Sequence, residues 1–194
     1  MERSIVMSGA GGQGIQLCTK MLVMAAARAN MHVMHFGWYA GPIRGGMSKC
    51  MMVIGDESLV SPPIVKRPWC GIAMHDKYSA DLEETVQTGG ILIVNSTIVP
   101  PQTRRKDITL VEVPATKIAN DLGNPLACGL VAIGALAATT RIVPLEEIAK
   151  AIEESLPPYR RHLAEANHRC LRAGAQYVES RDLESILTPA WARA

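Results

Sequence analysis

The chain has 194 residues, of which 48% are hydrophobic and 20% are charged, and its formal net charge is +2. This composition excludes a disordered chain, and the charge is too small for the protein as a whole to bind nucleic acid. Its five cysteines include no Cys-x-x-Cys pair, which argues against a disulfide framework, a zinc ribbon or an iron–sulfur cluster held by this chain alone.

Nothing in the sequence predicts export or membrane insertion. The chain starts Met-Glu-Arg-Ser, unlike a signal peptide, and no apolar run approaches the ~18 residues that a membrane span needs. We therefore expect a cytoplasmic protein without a membrane partner. A single domain over residues 1–180, helical from about residue 115, suits this length, and a C-terminal tail over 181–194 follows it, with residues 187–194 expected to be loose.

A glycine-rich turn joins the first predicted strand to the first predicted helix. Apolar residues 5–7 predict the strand, and the apolar pattern over 15–28 predicts the helix. Between them runs Gly9-Ala10-Gly11-Gly12-Gln13-Gly14, which contains the spacing G-x-G-x-x-G. Glycines let the backbone approach an anion, and the N-terminus of a helix favours negative charge. The turn therefore predicts a site for phosphate groups.

Strands and helices alternate through the first two thirds of the chain. Further strands are predicted at 33–36, 49–54, 70–74, 91–94 and 109–113, with a helix at about 77–87. Helices follow at 115–122, 126–138, 145–156 and 160–178. This order predicts an α/β fold, Rossmann-like and doubly wound, with a mostly parallel sheet and C-terminal helices. Ligands bind beyond the carboxyl ends of such strands, where we expect the glycine turn, the loop around Arg44 and Asn95 to converge.

The glycines alone leave the ligand of the turn open. NAD would require an acidic residue about 20 residues further on, but no Asp or Glu lies between Glu2 and Asp56. NADP would require a basic residue near Gly37, and Arg44 is only loosely placed for that role. The basic first third of the chain favours a ligand that carries phosphate, while a turn that binds nothing is the alternative.

A second candidate segment runs from Arg44 through Gly45, Gly46 and Met47 to Ser48. Arg44 can bind phosphate or carboxylate with two hydrogen bonds, and the glycines let a ligand approach the backbone. Alternatively, the segment is a surface loop, or Arg44 pairs with an acidic group at a subunit interface.

No set of residues has the spacing of a catalytic or metal site. The five histidines are scattered along the chain, and each is expected to be structural or solvated. Asp56, Glu57 and Asp76 are expected in turns or loops. The sequence is therefore interpreted as a binding module without catalytic residues or a metal of its own.

Several separate motifs, taken in order, resemble one protein family. The first is the glycine turn, and the second is Tyr39 followed by Arg44-Gly45-Gly46-x-Ser48-x-Cys50. The others are Gly90-Ile91-Leu92-Ile93-Val94-Asn95-Ser96, Pro114-Ala115-Thr116-x-Ile118-Ala119 with Leu122-Gly123-Asn124-Pro125, and Val131-Ala132-Ile133-Gly134-Ala135. From about Ser4 to Gly174, the chain closely resembles the gamma subunit of 2-oxoacid:acceptor (ferredoxin) oxidoreductases, which act on pyruvate, ketoisovalerate or 2-oxoglutarate.

The resemblance implies a subunit of a complex that oxidatively decarboxylates a 2-oxoacid, joins the acyl group to coenzyme A and passes electrons to ferredoxin or a similar acceptor. It implies alpha, beta and ferredoxin-like delta partner subunits, which would carry thiamine diphosphate, magnesium and the iron–sulfur clusters. The isolated chain is then expected to be inactive and could form a homodimer.

Coenzyme A is the cofactor that the resemblance implies for this chain, and its pyrophosphate and 3′-phosphate need no ribose-binding acid. The residues expected at its site are Gly9, Gly11, Gly12, Gln13, Gly14, Arg44, Gly45, Gly46, Ser48 and Asn95. The 2-oxoacid stays open among 2-oxoglutarate, pyruvate, branched-chain and aryl acids. A stand-alone NAD(P)-dependent reductase and a purely structural assembly subunit are the alternative functions.

Overall fold

The computed structural model describes residues 1–39, 45–100, 105–181 and 190–191. Within them, one sheet contains β1 (Glu2–Ala10), β2 (His32–Tyr39), β3 (Met47–Gly55), β4 (Cys70–Ala73), β5 (Ile91–Asn95) and β6 (Thr109–Val113). The strand order is β2-β3-β1-β4-β5-β6. The pairs from β1 through β4 and β5 to β6 are parallel, whereas β3 is antiparallel to both β1 and β2. The predicted α/β fold with a mostly parallel sheet is confirmed.

Helices lie along the sheet in the described parts of the chain. They are α1 (Ile15–Arg28), α2 (Asp76–Ser79), α3 (Leu82–Thr85), α4 (Ala115–Asp121), α5 (Cys128–Thr140), α6 (Leu145–Ser155) and α7 (Ala164–Glu179). α1 has the predicted bounds, and the chain turns after it at Asn30, whose φ of 58° is tolerated well by asparagine. Among the helices described, none combines the length and apolarity needed to cross a membrane.

The two faces of the sheet are covered unequally. Because side chains alternate along a strand, Ile5 and Met7 of β1 enter one core while Val6 enters the other. The larger core packs against α1 and the helices from α4 to α7. The smaller core is closed by Leu82 and Val86 from the α3 region. Elements on both faces make the sheet doubly wound, as predicted.

The predicted helix over 77–87 is wrong as a single element. The chain forms two four-residue helices there, α2 and α3. The side chain of Ser79 donates to the carbonyl of Ser8 (2.9 Å), and Ser8 Oγ donates to the carbonyl of Tyr78. These bonds hold the end of α2 against β1, so the helical pattern restarts at Leu82, which is buried as predicted.

The predicted helices over 126–138 and 160–178 begin too early. α5 and α7 are each preceded by a 3-10 helix, Pro125–Ala127 and Pro158–Leu163 respectively. A proline opens each 3-10 helix because its fixed φ suits the first position, and the tighter winding is common where a helix starts.

The C-terminal tail is not loose at the two residues that the structure describes. Ala190 is fully buried, and its N–H donates to the carbonyl of Thr140 (2.7 Å). The carbonyl of Ala190 accepts from Arg3 Nε (2.6 Å), and Trp191 Nε1 donates to the carbonyl of Ile142 (3.1 Å). The predicted loose tail is therefore wrong at these residues, because hydrogen bonds and burial hold them against the core.

Candidate functional site

The carboxyl edge of the parallel strands gathers several of the predicted site residues. β1 ends at Ala10, β4 at Ala73 and β5 at Asn95, all at this edge. β3 runs the opposite way, so Gly45 and Gly46, which precede it, lie at the same edge. The structure therefore brings the glycine turn and the second loop together, with Asn95 two strands away.

The glycine turn adopts backbone conformations that favour glycine at two positions. Gly12 has a φ of 103° and Gly14 a φ of 73°, in the left-handed region that side chains disfavour. Gly14 is also the N-cap residue of α1, and it supplies no side-chain cap. Gly11 and Gly12 are exposed. The turn is thus accessible to a ligand at its tip.

The side chain of Gln13 is used within the fold. Its Oε1 accepts from the N–H of Ala10 (2.7 Å), and its Nε2 donates to the carbonyl of Met74 (2.8 Å). The backbone N–H of Gln13 also donates to the carbonyl of Ala10 (3.1 Å). Gln13 therefore ties the turn to the residue after β4 and sets the shape of the predicted site.

Gly9 and Gly11 provide room for close packing around the turn. A Cβ atom at Gly9 would lie 2.5 Å from Gln13 Oε1 and 2.9 Å from Met74 Cβ. Gly9 is buried, and the absence of a side chain there leaves space for the Gln13 side chain. The N–H of Gly11 donates to the carbonyl of Gly46 (2.8 Å), so the two glycine segments meet through their backbones.

Backbone N–H groups at the start of α1 have no acceptor among the described residues. They belong to Gly12, Gly14, Ile15, Gln16 and Leu17. The first turn of α1 contains no acidic residue, and the helix dipole places partial positive charge there. Phosphate oxygens can accept hydrogen bonds from such groups without competition from a neighbouring carboxylate.

Ser48 lies beside Gly9 in the pairing of β1 with β3. Ser48 is buried, and its hydroxyl accepts a hydrogen bond from Gln16 Nε2 (3.3 Å). This hydrogen bond joins the first turn of α1 to β3. Arg44, the other polar residue predicted in this segment, lies outside the described residues, so its role stays a prediction.

Asn95 makes its described contacts with another helix. It is only 1% exposed. Its Oδ1 accepts from the N–H of Thr116 (3.2 Å), and its Nδ2 donates to Thr116 Oγ1 (2.9 Å). Nearby, Thr97 Oγ1 accepts from the N–H of Lys117 (3.2 Å). Asn95 thus holds the start of α4, and its predicted contact with the ligand is untested.

The structure adds a segment that the sequence interpretation left out of the site. Residues 75–78 follow β4 directly, and β4 is the parallel neighbour of β1. The rings of His75 and Tyr78 have centroids 4.9 Å apart, and Tyr78 Oη donates to the carbonyl of Gly45 (3.1 Å). His75 was expected to be structural or solvated. Its position after a strand was the available signal, because residues there face the binding edge.

The cysteines near the turn are poor candidates for chemistry. Burial raises the pKa of the Cys18 thiol, and the neighbouring Cys128 and Cys50 raise it further. Burial also raises the pKa of Cys50 and of Cys128. A thiol is nucleophilic or metal-binding as the thiolate, so these side chains behave as small apolar groups.

A cavity of about 190 Å³ opens on the face of the sheet away from α1. Its lining includes Ala73, Leu92 and Val94, together with the carboxylates of Asp76 and Glu83. Pockets for small ligands usually measure about 300–1,000 Å³. This cavity is too small for a nucleotide-sized ligand, and its carboxylates disfavour phosphate.

Comparison with known proteins shows which family of proteins this chain belongs to. The family described as pyruvate ferredoxin/flavodoxin oxidoreductase matches residues 4–177. The chain belongs to this family.

The relatives narrow the position of the chain within that family. The 2-oxoglutarate synthase subunit KorC of Methanocaldococcus jannaschii is 35% identical over 164 residues, which cover 81% of this chain and 85% of that protein. The predicted identity, a gamma subunit of a multi-subunit 2-oxoacid:ferredoxin oxidoreductase, is confirmed.

Solved structures share the fold. The gamma subunit of the keto/oxoacid ferredoxin oxidoreductase from Geobacter sulfurreducens has a TM-score of 0.80 at 24% identity, covering 93% of this chain and 98% of that chain. The 2-oxoglutarate:ferredoxin oxidoreductase from Magnetococcus marinus, solved with 2-oxoglutarate, coenzyme A and succinyl-CoA bound, has a TM-score of 0.85 at 16% identity. It covers 97% of this chain, which spans only 33% of that longer chain.

Proposed function

We propose that this gamma subunit supplies a phosphate-binding site for coenzyme A in its complex. The complex decarboxylates a 2-oxoacid, forms the acyl-coenzyme A and passes two electrons to ferredoxin or a similar acceptor. Partner alpha, beta and delta subunits carry thiamine diphosphate, magnesium and the iron–sulfur clusters. This chain binds and orients coenzyme A and is inactive in isolation.

The uncapped start of α1 is the observation that supports the proposal most strongly. The N–H groups of Gly12, Gly14 and the first helical residues have no acceptor among the described residues. Buried or fixed N–H groups normally find partners, and a phosphate group is a suitable acceptor at a helix N-terminus. Gly11 and Gly12 are exposed and have no side chains of their own to block a ligand.

Coenzyme A suits this site better than NAD. A dinucleotide site of this kind uses an acidic residue to hold the ribose, but no Asp or Glu lies between Glu2 and Asp56. Coenzyme A carries a 3′-phosphate next to the ribose hydroxyl, which an acidic residue would repel. The Magnetococcus marinus protein, which shares this fold over 33% of its own chain, was solved with coenzyme A bound, and this favours the same ligand here.

The site needs a partner subunit to enclose the ligand. The glycine turn forms an open surface, and the cavity of about 190 Å³ on the other face is too small for coenzyme A. A ligand of this size normally has most of its surface buried. The rest of the coenzyme A contacts therefore come from the neighbouring subunits of the complex.

The Michaelis constant for coenzyme A in the assembled complex tests the proposal. Gly12→Asp places a carboxylate where the phosphates would bind, and we expect at least a tenfold increase in KM, or ~1.4 kcal/mol. Gly12→Asn has a similar shape without the charge and should raise KM much less. The matched control is Gly89→Asp, because Gly89 also has a positive φ and open space but precedes β5 at the opposite edge.

Two results would overturn the proposal. If Gly12→Asp leaves the KM for coenzyme A unchanged in an assembled and active complex, the turn binds no phosphate and the subunit is structural. If calorimetry instead shows saturable binding of NAD or NADP to the isolated chain, the stand-alone reductase is the better interpretation. The assay uses whichever 2-oxoacid the purified complex accepts.

A further inference from the structure

We propose that Lys77 binds the 3′-phosphate of coenzyme A while the start of α1 binds the pyrophosphate, an inference that rests on the proposed function. Coenzyme A carries these two phosphate groups at separate places on one nucleotide. A site that recognises both therefore needs a second positive group beside the glycine turn. The 75–78 segment provides it.

The position of this segment is fixed from both of its ends. The N–H of Met74 donates to the carbonyl of Ser8 (2.9 Å), and Ser79 Oγ donates to the same carbonyl (2.9 Å). Ser8 Oγ donates in turn to the carbonyl of Tyr78. Because Ser8 is two residues before the end of β1, these bonds hold the segment beside the glycine turn.

The side chains of the segment extend the contact to the second loop. Tyr78 Oη donates to the carbonyl of Gly45 (3.1 Å), and the next carbonyl, that of Gly46, accepts from the N–H of Gly11 (2.8 Å). The Nζ atom of Lys77 lies 5.6 Å from the centre of the Tyr78 ring. The lysine cation therefore lies over the ring of Tyr78, the residue whose hydroxyl binds the second loop.

Lys77 has no ion pair with a described carboxylate, which is also true of Lys20, Lys66 and Lys106, but of these four only Lys77 directly follows a strand at the carboxyl edge. Three other lysines form ion pairs: Lys49 with Asp81, Lys117 with Asp121, and Lys150 with Glu147. Asp76, the adjacent acid, accepts from the backbone N–H of Lys77 (2.7 Å) and lies 2.9 Å from His75 Nδ1. The Lys77 ammonium is exposed and available to an anionic ligand.

The charges of the two phosphate groups favour the 3′-phosphate at Lys77 and the pyrophosphate at the start of α1. A phosphomonoester carries about −1.5 to −2 charge at neutral pH, so the 3′-phosphate gains most from a full positive charge. Lys acts as a flexible point charge toward phosphate. The backbone N–H groups of α1 are fixed and carry only partial charge, which suits the pyrophosphate bridge.

Titration calorimetry of the assembled complex with coenzyme A and with 3′-dephospho-coenzyme A tests this assignment. We expect the unmodified complex to bind coenzyme A about tenfold more tightly than the dephospho form. Lys77→Met should remove this preference by weakening coenzyme A alone, and Lys77→Arg should retain it. Lys66→Met is the control, because Lys66 is exposed in the connection between β3 and β4 at the opposite edge.

The two ligands separate this inference from the proposed function. If Lys77→Met weakens both ligands equally or neither, Lys77 does not bind the 3′-phosphate, although Gly12→Asp can still weaken both. If Gly12→Asp changes the affinity for neither ligand, the glycine turn does not bind coenzyme A, and the proposed function is wrong. Equal binding of the two ligands by the unmodified complex would also overturn the inference.

Discussion

Two helices begin at the same edge of the sheet and treat their first backbone N–H groups differently. At the start of α4, Asn95 Oδ1 accepts from the N–H of Thr116 and Thr97 Oγ1 accepts from the N–H of Lys117, both at 3.2 Å. At the start of α1, no N-cap side chain accepts, and the first N–H groups have no described acceptor. Side chains from elsewhere in the protein therefore cap α4, whereas the first N–H groups of α1 have no acceptor among the described residues.

Burial separates the two helix starts in the same way. Asn95 is 1% exposed, and Ala115, the first residue of α4, is fully buried. Gly11 and Gly12 before α1 are exposed. A buried helix start must be satisfied internally, whereas an exposed one can be satisfied by a ligand. The difference supports the proposal that α1 binds the ligand, whereas α4 is held by side chains of the protein itself.

The largest expected effect comes from filling the space at Gly9. A Cβ atom there would approach Gln13 Oε1, Ile15 Cδ1 and Met74 Cβ to between 2.5 and 2.9 Å. Gly9→Ala should therefore lower the free energy of unfolding of the purified chain by about 3 kcal/mol in urea denaturation. Gly89→Ala, where a Cβ meets nothing within 4 Å, should cost only about 1 kcal/mol from its positive φ. Equal costs would show that the space at Gly9 is unimportant.

Next in size is the loss of the Gln13 side chain. Gln13→Leu removes the acceptor for the Ala10 N–H and the donor to the Met74 carbonyl. We expect a loss of about 2 kcal/mol in urea denaturation, because unpaired backbone groups remain in the fold. Gln16→Leu is the comparison, since its contacts of 3.3 and 3.4 Å are long. If Gln16→Leu costs as much, the turn is not held mainly by Gln13.

Asn95→Ala sharpens the contrast between the two helix starts. It removes the side chain that accepts from Thr116, and we expect a loss of about 1 kcal/mol of stability. The KM for coenzyme A in the assembled complex should stay unchanged. An increased KM would instead support the contact between Asn95 and the ligand that the sequence predicts.

Thr97→Val gives the smallest expected effect. It removes the hydroxyl that accepts from the N–H of Lys117, at an exposed position. Urea denaturation should show a loss of about 0.5 kcal/mol. A loss larger than that of Asn95→Ala would mean that Thr97, not Asn95, secures the start of α4.

Local patterns in the sequence predicted the glycine turn and the bounds of α1. Strand, turn and helix are neighbours in the chain there, so periodicity and glycine spacing contain the needed information. The family resemblance also followed from motifs that are continuous in sequence.

Contacts between distant segments could not be predicted in this way. Gln13 bonds to a carbonyl 61 residues away, and Asn95 bonds to Thr116 across 21 residues. The break in the predicted helix over 77–87 depends on Ser79 reaching Ser8, 71 residues earlier. Residues 75–78 lie beside the glycine turn only because β4 pairs with β1. Each of these features depends on the strand order, which the pattern along the chain does not specify.

Hydrogen–deuterium exchange of the assembled complex, with and without coenzyme A, shows directly whether the start of α1 binds the phosphates of coenzyme A. The open N–H groups of Gly12 and of residues 14–17 should exchange more slowly when coenzyme A is bound, because its phosphates accept their hydrogen bonds. The N–H groups at residues 115–118 should show no change, since Asn95 and Thr97 already occupy this helix start. Unchanged exchange at Gly12 and at residues 14–17 under saturating coenzyme A would show that its phosphates do not bind at the start of α1.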